Sequence, residues 1–136
     1  MTERVLSQEA WIRLGNESRS VLIDVRTPQE WTEIGVPALE AIGKSLLRIA
    51  WDPSDAQGFL RKLNVGVPDR TTPLYFICRS GARSQMTAEL AAWYGYTTTI
   101  NVADGFEGPP DATGLRGRIS GWQAAGLPIE SVSRET

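Results

Sequence analysis

The sequence contains no histidine and only one cysteine among its 136 residues. The lack of imidazole excludes histidine-based catalytic triads, histidine acid–base catalysis and metal sites that use histidine ligands. The single thiol excludes an internal disulfide and a structural zinc site built from cysteines. The acidic residues form no cluster with the spacing of metal ligands. We therefore expect a protein that works without a metal or an organic cofactor.

Long apolar runs and basic runs are also missing. No apolar stretch approaches the ~20 residues that a membrane span needs, and the first residues lack the charged-then-apolar pattern of a signal sequence. The net charge is −2, and the 14 basic residues are scattered along the chain. Clustered Lys and Arg would indicate a nucleic-acid surface. We therefore expect a cytoplasmic protein that binds neither nucleic acid nor a membrane.

The length and the apolar content fit one domain. A chain of 136 residues with 41% hydrophobic residues can bury a single core. No linker, internal repeat or low-complexity segment divides it. Residues 1–136 are therefore predicted to form one domain.

Strand-like and helix-like segments alternate along the chain. Apolar and β-branched runs predict the strands. The predicted strands are residues 21–23, Leu74–Ile77, residues 97–102 and a short edge strand within residues 41–47. This alternation favours an α/β fold with a mainly parallel sheet, because parallel neighbours need helical crossovers on the sheet faces. Residues 104–121, rich in glycine, proline and charge, predict an irregular loop before a short helix around Trp122.

Helix-capping residues mark the predicted helix starts. Thr27 suits an N-cap, with Pro28 at the first helical position and Glu30 completing a capping box. Short polar side chains predict the other starts. The further predicted N-caps are Ser7, Asp52 and Ser84, and the helix after Cys78 is predicted over residues 84–94.

The one cysteine, Cys78, follows the predicted strand Leu74–Ile77 and opens a loop that leads into the helix predicted over residues 84–94. Ligands of parallel α/β sheets bind beyond the carboxyl ends of the strands, which is where Cys78 lies. A helix N-terminus and nearby arginines favour the thiolate, the nucleophilic form of cysteine. Cys78 is therefore a candidate nucleophile.

The residues after Cys78 form a candidate anion-binding loop. They are Arg79, Ser80, Gly81, Ala82, Arg83 and Ser84. Gly81 permits a turn that aims successive backbone N–H groups at one centre. The two serines offer hydroxyl donors, although Ser84 equally suits the N-cap of the following helix. The two arginines supply positive charge, and an arginine that points outward would steer an anion rather than bind it.

Three segments, in this order, resemble the signatures of the rhodanese-like family of single-domain sulfurtransferases. The segments are residues 22–31, residues 78–84, and residues 101–108 continued by 121–128 after an insertion. The resemblance spans roughly residues 7–130. It implies a three-layer α/β sandwich in which helices flank a mainly parallel central sheet. It also implies that Asp24 and Arg26 organise structure beneath the site.

By the same resemblance, the activity is sulfur transfer. Cys78 would attack the outer sulfur of a small anionic donor such as thiosulfate, form a persulfide, and pass that sulfur to cyanide or to a thiol. A protein thiol is a further candidate acceptor. Residues 79–84 would bind the substrate, and neither a metal nor a cofactor takes part.

The chain departs from the family pattern at two places. Where the family commonly has a histidine after the first signature, residues 35–39 read Gly-Val-Pro-Ala-Leu, and we expect this to alter packing rather than chemistry. The insertion at residues 108–121 is either a lid over the site or a surface excursion. Within it, Arg116 and Arg118 could face an anionic substrate or solvent.

Two other functions fit parts of the pattern. Cysteine phosphatases also surround an anion with Cys and Arg, but they place five residues between the two, whereas four separate Cys78 from Arg83. They also need an acid for the leaving alcohol, for which Asp104 and Glu107 are the candidates. A non-catalytic binding module is the other alternative, and the retained Cys78 counts against it. Three tryptophans on apolar helix faces, Trp11, Trp31 and Trp93, are expected in the core rather than in a docking patch.

Overall fold

A parallel sheet of five strands forms the centre of the computed structural model, which describes residues 2–132. The five strands are β1 (Thr2–Val5), β2 (Val21–Asp24), β4 (Leu47–Arg48), β5 (Leu74–Ile77) and β6 (Thr99–Val102). Their spatial order is β1-β6-β5-β2-β4, so β5 lies in the middle. Two short strands, β3 (Val36–Pro37) and β7 (Ile129–Glu130), pair antiparallel apart from this sheet.

Four α-helices and one 3-10 turn connect the strands. They are α1 (Ser7–Asn16), α2 (Pro28–Ile34), α3 (Ala56–Gly66), α4 (Ala82–Trp93) and the 3-10 turn Glu40–Ile42. No helix within residues 2–132 combines the length and the apolar character that crossing a bilayer requires.

Alternation of side chains along the central strands builds a core on each face of the sheet. On β5, Phe76 packs with residues of α3 and α4, whereas Tyr75 and Ile77 pack with residues of α1 on the opposite face. Successive strand residues point to opposite faces, so a continuous apolar run is required when both faces are covered. The three-layer α/β fold expected from the sequence is confirmed.

The structure differs from the sequence-based expectations in several places. The strand β1, of which only Val5 is buried, and the short strands β3 and β7 were not predicted. The segment around Trp122 forms hydrogen-bonded turns rather than a helix. Trp93, at the end of α4, is 78% exposed rather than in the core, because small residues such as Ala88 and Ala91 make the buried face of that helix. The short edge strand predicted within residues 41–47 is only partly correct, since the end strand β4 is Leu47–Arg48 and residues 40–42 form the 3-10 turn.

The helix caps show where local sequence decides structure. Thr27 caps α2 in a complete capping box with Glu30, as predicted. The predictions for Ser7 and Asp52 were wrong. Helix α1 starts after Leu6, and α3 is capped by Asp55. The Asp52 carboxylate instead accepts the backbone N–H and the hydroxyl of Ser54 in a turn before the helix.

The parallel register brings the ends of three strands to one edge of the sheet. Asp24 at the end of β2 pairs with Ile77 at the end of β5, and Phe76 pairs with Asn101 of β6. The segments that follow β2, β5 and β6 therefore emerge side by side. This edge carries Cys78 and the residues around it.

Candidate active site

The sulfur of Cys78 lies inside a ring of hydrogen-bonding groups. The Gly81 N–H and the Ser84 N–H donate to the sulfur, with N to Sγ distances of 3.1 and 3.3 Å. The Ser84 hydroxyl oxygen lies 3.2 Å from Sγ. Cys78 as a whole is 1% exposed. The loop thus places two N–H donors and one hydroxyl around a single sulfur, an arrangement that stabilises a sulfur anion.

Gly81, rather than Ser84, is the N-cap of α4, so the capping prediction for Ser84 was wrong. Gly81 has φ +106°, and a Cβ atom there would collide with the carbonyl oxygen of Ala103. Only glycine fits this turn without strain. Because the helix starts at Ala82, Ser84 lies within its first turn, fully buried, and its side chain faces the sulfur.

The two arginines of the loop have different surroundings. Arg83 makes a bidentate ion pair with Glu30 of α2, with N to O distances of 2.8 and 3.0 Å. This pair raises the pKa of Arg83, and the nearby Asp24 carboxylate adds to the effect. Arg79 is exposed, as is Ser80. Arg83 is therefore held beside the sulfur by a carboxylate, whereas Arg79 faces solvent.

Glu30 connects two helices at the site. Its carboxylate accepts the N–H and hydroxyl of Thr27 as well as the Arg83 guanidinium. Burial alone would raise the pKa of Glu30, but the hydrogen bonds from Arg83 and Thr27 dominate and lower it from 4.5 to about 2. A carboxylate whose pKa is lowered by folding stabilises the fold above its unfolded pKa, and that stability is lost as the pH falls through the folded value.

We therefore expect Glu30→Gln to lower the free energy of unfolding by about 1 kcal/mol at neutral pH, because it removes the charge that pairs with Arg83, whereas a glutamine can still close the capping box. The difference from the wild type should shrink as the pH falls from about 4.5 toward 2. Urea unfolding across this range measures it. Glu33→Gln, on the exposed side of α2, is the control. A stability difference between the wild type and Glu30→Gln that does not change with pH would contradict the lowered pKa of Glu30.

A buried ion pair lies at the end of β2. The Arg26 guanidinium donates to both carboxylate oxygens of Asp24 and to the carbonyl of Gly35, and both charged side chains are fully buried. The Arg26 guanidinium carbon also lies 4.2 Å from the ring centre of Phe106. Phe106 in turn donates its N–H to the carbonyl of Cys78 at 2.8 Å. The pair thus connects to the sulfur loop through one aromatic residue.

Asn101 is a site residue that the sequence analysis missed. It is fully buried on β6, and its side chain bonds to Ser84 and to the Gly81 carbonyl. The one available signal was a polar side chain inside the otherwise apolar run Ile100-Asn101-Val102, which is unusual for a strand covered on both faces.

The segment after β6 packs directly on the sulfur loop. The N–H groups of Glu107 and Gly108 both donate to the carbonyl of Arg79 at 3.0 Å. Asp104 accepts hydrogen bonds from the Ser7 hydroxyl and from the Gly121 N–H. Its carboxylate is therefore engaged in holding the chain together, which makes it a poor candidate for the acid of a phosphatase.

The insertion is anchored at its base and forms its own turn at its tip. At the base, Arg116 donates to the carbonyl of Gly108, and the N–H of Gly117 donates to Glu107. At the tip, the Asp111 carboxylate accepts N–H groups of the following turn, and the Arg118 side chain is 64% exposed at 3.9 Å from it. Arg116 thus bonds to the backbone, and Arg118 faces solvent.

The sequence matches the family described as STR4 middle domain over residues 3–135. The chain belongs to the rhodanese-like domain family.

The rhodanese-like domain is similar to bacterial and plant proteins. It shares 40% identity and a TM-score of 0.86 with the crystal structure of Rv0390 from M. tuberculosis, over 97% of this chain and 98% of that chain. It is 28% identical to the Rhodanese-like domain-containing protein 4, chloroplastic, of Arabidopsis thaliana, over 90% of this chain and 24% of the plant protein. It is 27% identical to a protein named Sulfurtransferase from Allochromatium vinosum, over 95% of both chains.

Residues 2–132 of the rhodanese-like domain contain no candidate metal site. No group of three or more cysteine, aspartate or glutamate side chains is placed to hold an ion there. The chemistry that the site offers rests on one sulfur and its hydrogen-bond donors.

Proposed function

We propose that this rhodanese-like domain is a sulfurtransferase in which Cys78 carries the transferred sulfur as a persulfide. The observation that carries the proposal is the ring of groups around Cys78 Sγ, formed by the N–H donors of Gly81 and Ser84 and by the Ser84 hydroxyl oxygen. The ring suits a single anionic sulfur, since its donors converge on one atom. The similarity to a protein named Sulfurtransferase supports the same activity.

The reaction has two displacement steps. The Cys78 thiolate attacks the outer sulfur of thiosulfate, so that a new S–S bond forms as the donor S–S bond breaks and sulfite leaves with the electron pair. Cyanide or a thiolate then attacks the terminal sulfur of the persulfide. The bond to Cys78 breaks, the acceptor keeps the sulfur, and Cys78 leaves as a thiolate. No net oxidant or reductant is consumed.

Each residue of the loop has a proposed role in this reaction. Gly81 and Ser84 hold the charge on sulfur, and Gly81 fixes the turn. The exposed Arg79 draws an anionic donor toward the loop, together with the neighbouring Ser80. Arg83 contributes positive charge while it remains paired with Glu30, and Ala82 starts the helix whose N-terminus faces the site.

The acceptor is proposed as cyanide or a small thiol, with a protein thiol as a further candidate. A reduced thiol is required before each turnover. The cytoplasm keeps thiols reduced, so we propose it as the location of the reaction.

Intact-protein mass spectrometry after thiosulfate treatment, under non-reducing conditions, tests the proposal. A gain of about 32 Da, the mass of one sulfur atom, that cyanide removes is the expected result of persulfide formation. Hydrolysis of p-nitrophenyl phosphate is measured on the same sample. Phosphate release without a mass gain would favour a phosphatase. If neither a mass gain nor phosphate release is seen, with polysulfide also tried as the donor, a binding module would be favoured.

A further inference from the structure

Asn101 makes three hydrogen bonds from a fully buried position on β6. The Ser84 hydroxyl lies 2.6 Å from its Oδ1. Its Nδ2 donates to the Gly81 carbonyl at 3.1 Å and to Gln85 Oε1 at 2.9 Å. Two of these partners, Ser84 and Gly81, are the residues that surround the Cys78 sulfur.

The Gly81 carbonyl fixes the orientation of the Asn101 amide. A backbone carbonyl only accepts hydrogen bonds, so the NH2 group of Asn101 must face it. The amide oxygen then faces Ser84, and an amide oxygen also only accepts. The single hydroxyl hydrogen of Ser84 therefore points at Asn101.

This leaves the Ser84 oxygen facing the sulfur as an acceptor. At an Oγ to Sγ distance of 3.2 Å, it accepts the S–H of a Cys78 thiol. A thiolate needs the opposite arrangement, in which the Ser84 hydrogen turns to the sulfur. That turn would leave the buried Asn101 Oδ1 without its donor. The Asn101 amide and the sulfur anion thus compete for one hydrogen.

We infer that Asn101 is a positioning residue that directs the Ser84 hydroxyl and thereby sets the balance between thiol and thiolate at Cys78. Its importance for turnover rests on the proposed sulfurtransferase activity, in which the thiolate is the nucleophile. The ionisation itself is measured without any sulfur donor.

The charged groups around the sulfur are separate from this hydrogen-bond chain. They are Arg79 in the loop, Arg83 on α4 paired with Glu30 on α2, Asp24 paired with Arg26 after β2, and Asp104 after β6 bonded to Ser7. None of them bonds to the Asn101 side chain. A substitution of Asn101 therefore leaves these pairs intact.

Asn101→Leu tests the inference. The leucine has a similar size and accepts no hydrogen, so Ser84 is free to donate to a thiolate. The Gly81 carbonyl keeps its bond from the Gln85 N–H. We expect the midpoint of the pH titration of thiolate ultraviolet absorbance to fall by about one pH unit, the scale of one hydrogen bond to a charged group. Subtraction of the Cys78→Ser spectrum isolates the one thiol.

A double-mutant cycle with Ser84→Ala shows whether Asn101 acts through Ser84. In the Ser84→Ala background, Asn101→Leu should move the midpoint by less than about 0.3 pH units, because no hydroxyl hydrogen remains to be redirected. An equal shift in both backgrounds, no shift in either, or a rise of the midpoint in Asn101→Leu would overturn the inference.

Two further variants guard against a general effect of substitution. Asn101→Asp should raise the midpoint, because a carboxylate holds the Ser84 hydrogen more strongly and adds negative charge, and a fall would overturn the inference. Compared with the same substitution in the Ser84→Ala background, which shows the effect of the added charge alone, it also decides the question if the leucine variant does not fold. Thr87→Val removes a buried hydroxyl that donates to the Ser84 carbonyl at 2.9 Å and should leave the midpoint unchanged. A shift as large as that of Asn101→Leu would contradict the specific role of Asn101.

Sulfur loading from thiosulfate is measured separately on the same variants. A protein that titrates as expected but accepts no sulfur refutes the sulfurtransferase proposal and leaves the role of Asn101 intact. A protein that accepts sulfur but shows no coupling between Asn101 and Ser84 in the double-mutant cycle refutes only the role of Asn101.

Discussion

Replacement of Cys78 by serine is expected to abolish sulfur loading and to lower thiosulfate-dependent turnover by at least about a thousandfold, the scale on which loss of a covalent nucleophile lowers rates. A serine hydroxyl is not ionised at neutral pH and forms no persulfide. Its oxygen can still accept the N–H groups of Gly81 and Ser84, so the fold should remain intact. Cyanide trapping of the transferred sulfur measures turnover, and the unfolding midpoint in urea measures stability.

Wild-type protein carried through the same steps without thiosulfate is the control for Cys78→Ser. Full turnover in the serine variant would show that the cysteine is not the nucleophile. Loss of turnover together with loss of the cooperative unfolding transition would instead assign Cys78 a packing role, since its side chain belongs to the core cluster that includes Phe76 of β5 and Ala88 of α4.

Arg26→Met should lower the free energy of unfolding by about 3–5 kcal/mol, the cost of leaving one partner of a buried ion pair uncompensated. Asp24 would keep its burial and lose the guanidinium that satisfies both of its oxygens. The Gly35 carbonyl would lose its donor as well. Urea denaturation followed by circular dichroism measures the change.

Two matched variants separate burial from charge in this experiment. Arg13→Met makes the same substitution at a partly exposed arginine that pairs with Glu3 and Glu9, where the expected cost is below about 1 kcal/mol. The double variant Asp24→Leu/Arg26→Met removes both charges and should be more stable than Arg26→Met alone. A cost at Arg26 no larger than at Arg13 would show that the pair does not support the site.

Local sequence predicted those features whose partners lie close by in the chain. The capping box joins Thr27 to Glu30, three positions later in the chain, and it formed as expected. The strand and loop that carry Cys78 were predicted for the same reason. A buried apolar strand followed by a glycine-containing loop and a helix allows few alternative paths for the backbone.

Features that depend on distant partners were not predictable from local sequence. The serines Ser7 and Ser84 both suit an N-cap, yet the hydroxyl of the first bonds to Asp104 and that of the second to Asn101. The sequence left open whether Arg83 points into the site, and its carboxylate partner lies 53 residues earlier in the chain. In each case a tertiary hydrogen bond determined the side-chain direction.

The two-part structure of the insertion determines where a label can be attached to the protein. Its base is bonded to the sulfur loop, whereas the turn beyond Asp111 is closed by bonds to Asp111 itself. Ala112 is exposed at this outer turn. A fluorophore or an affinity handle attached there would project into solvent without touching the carbonyl of Arg79. The outer turn is thus an attachment point for immobilising the protein without disturbing the sulfur chemistry.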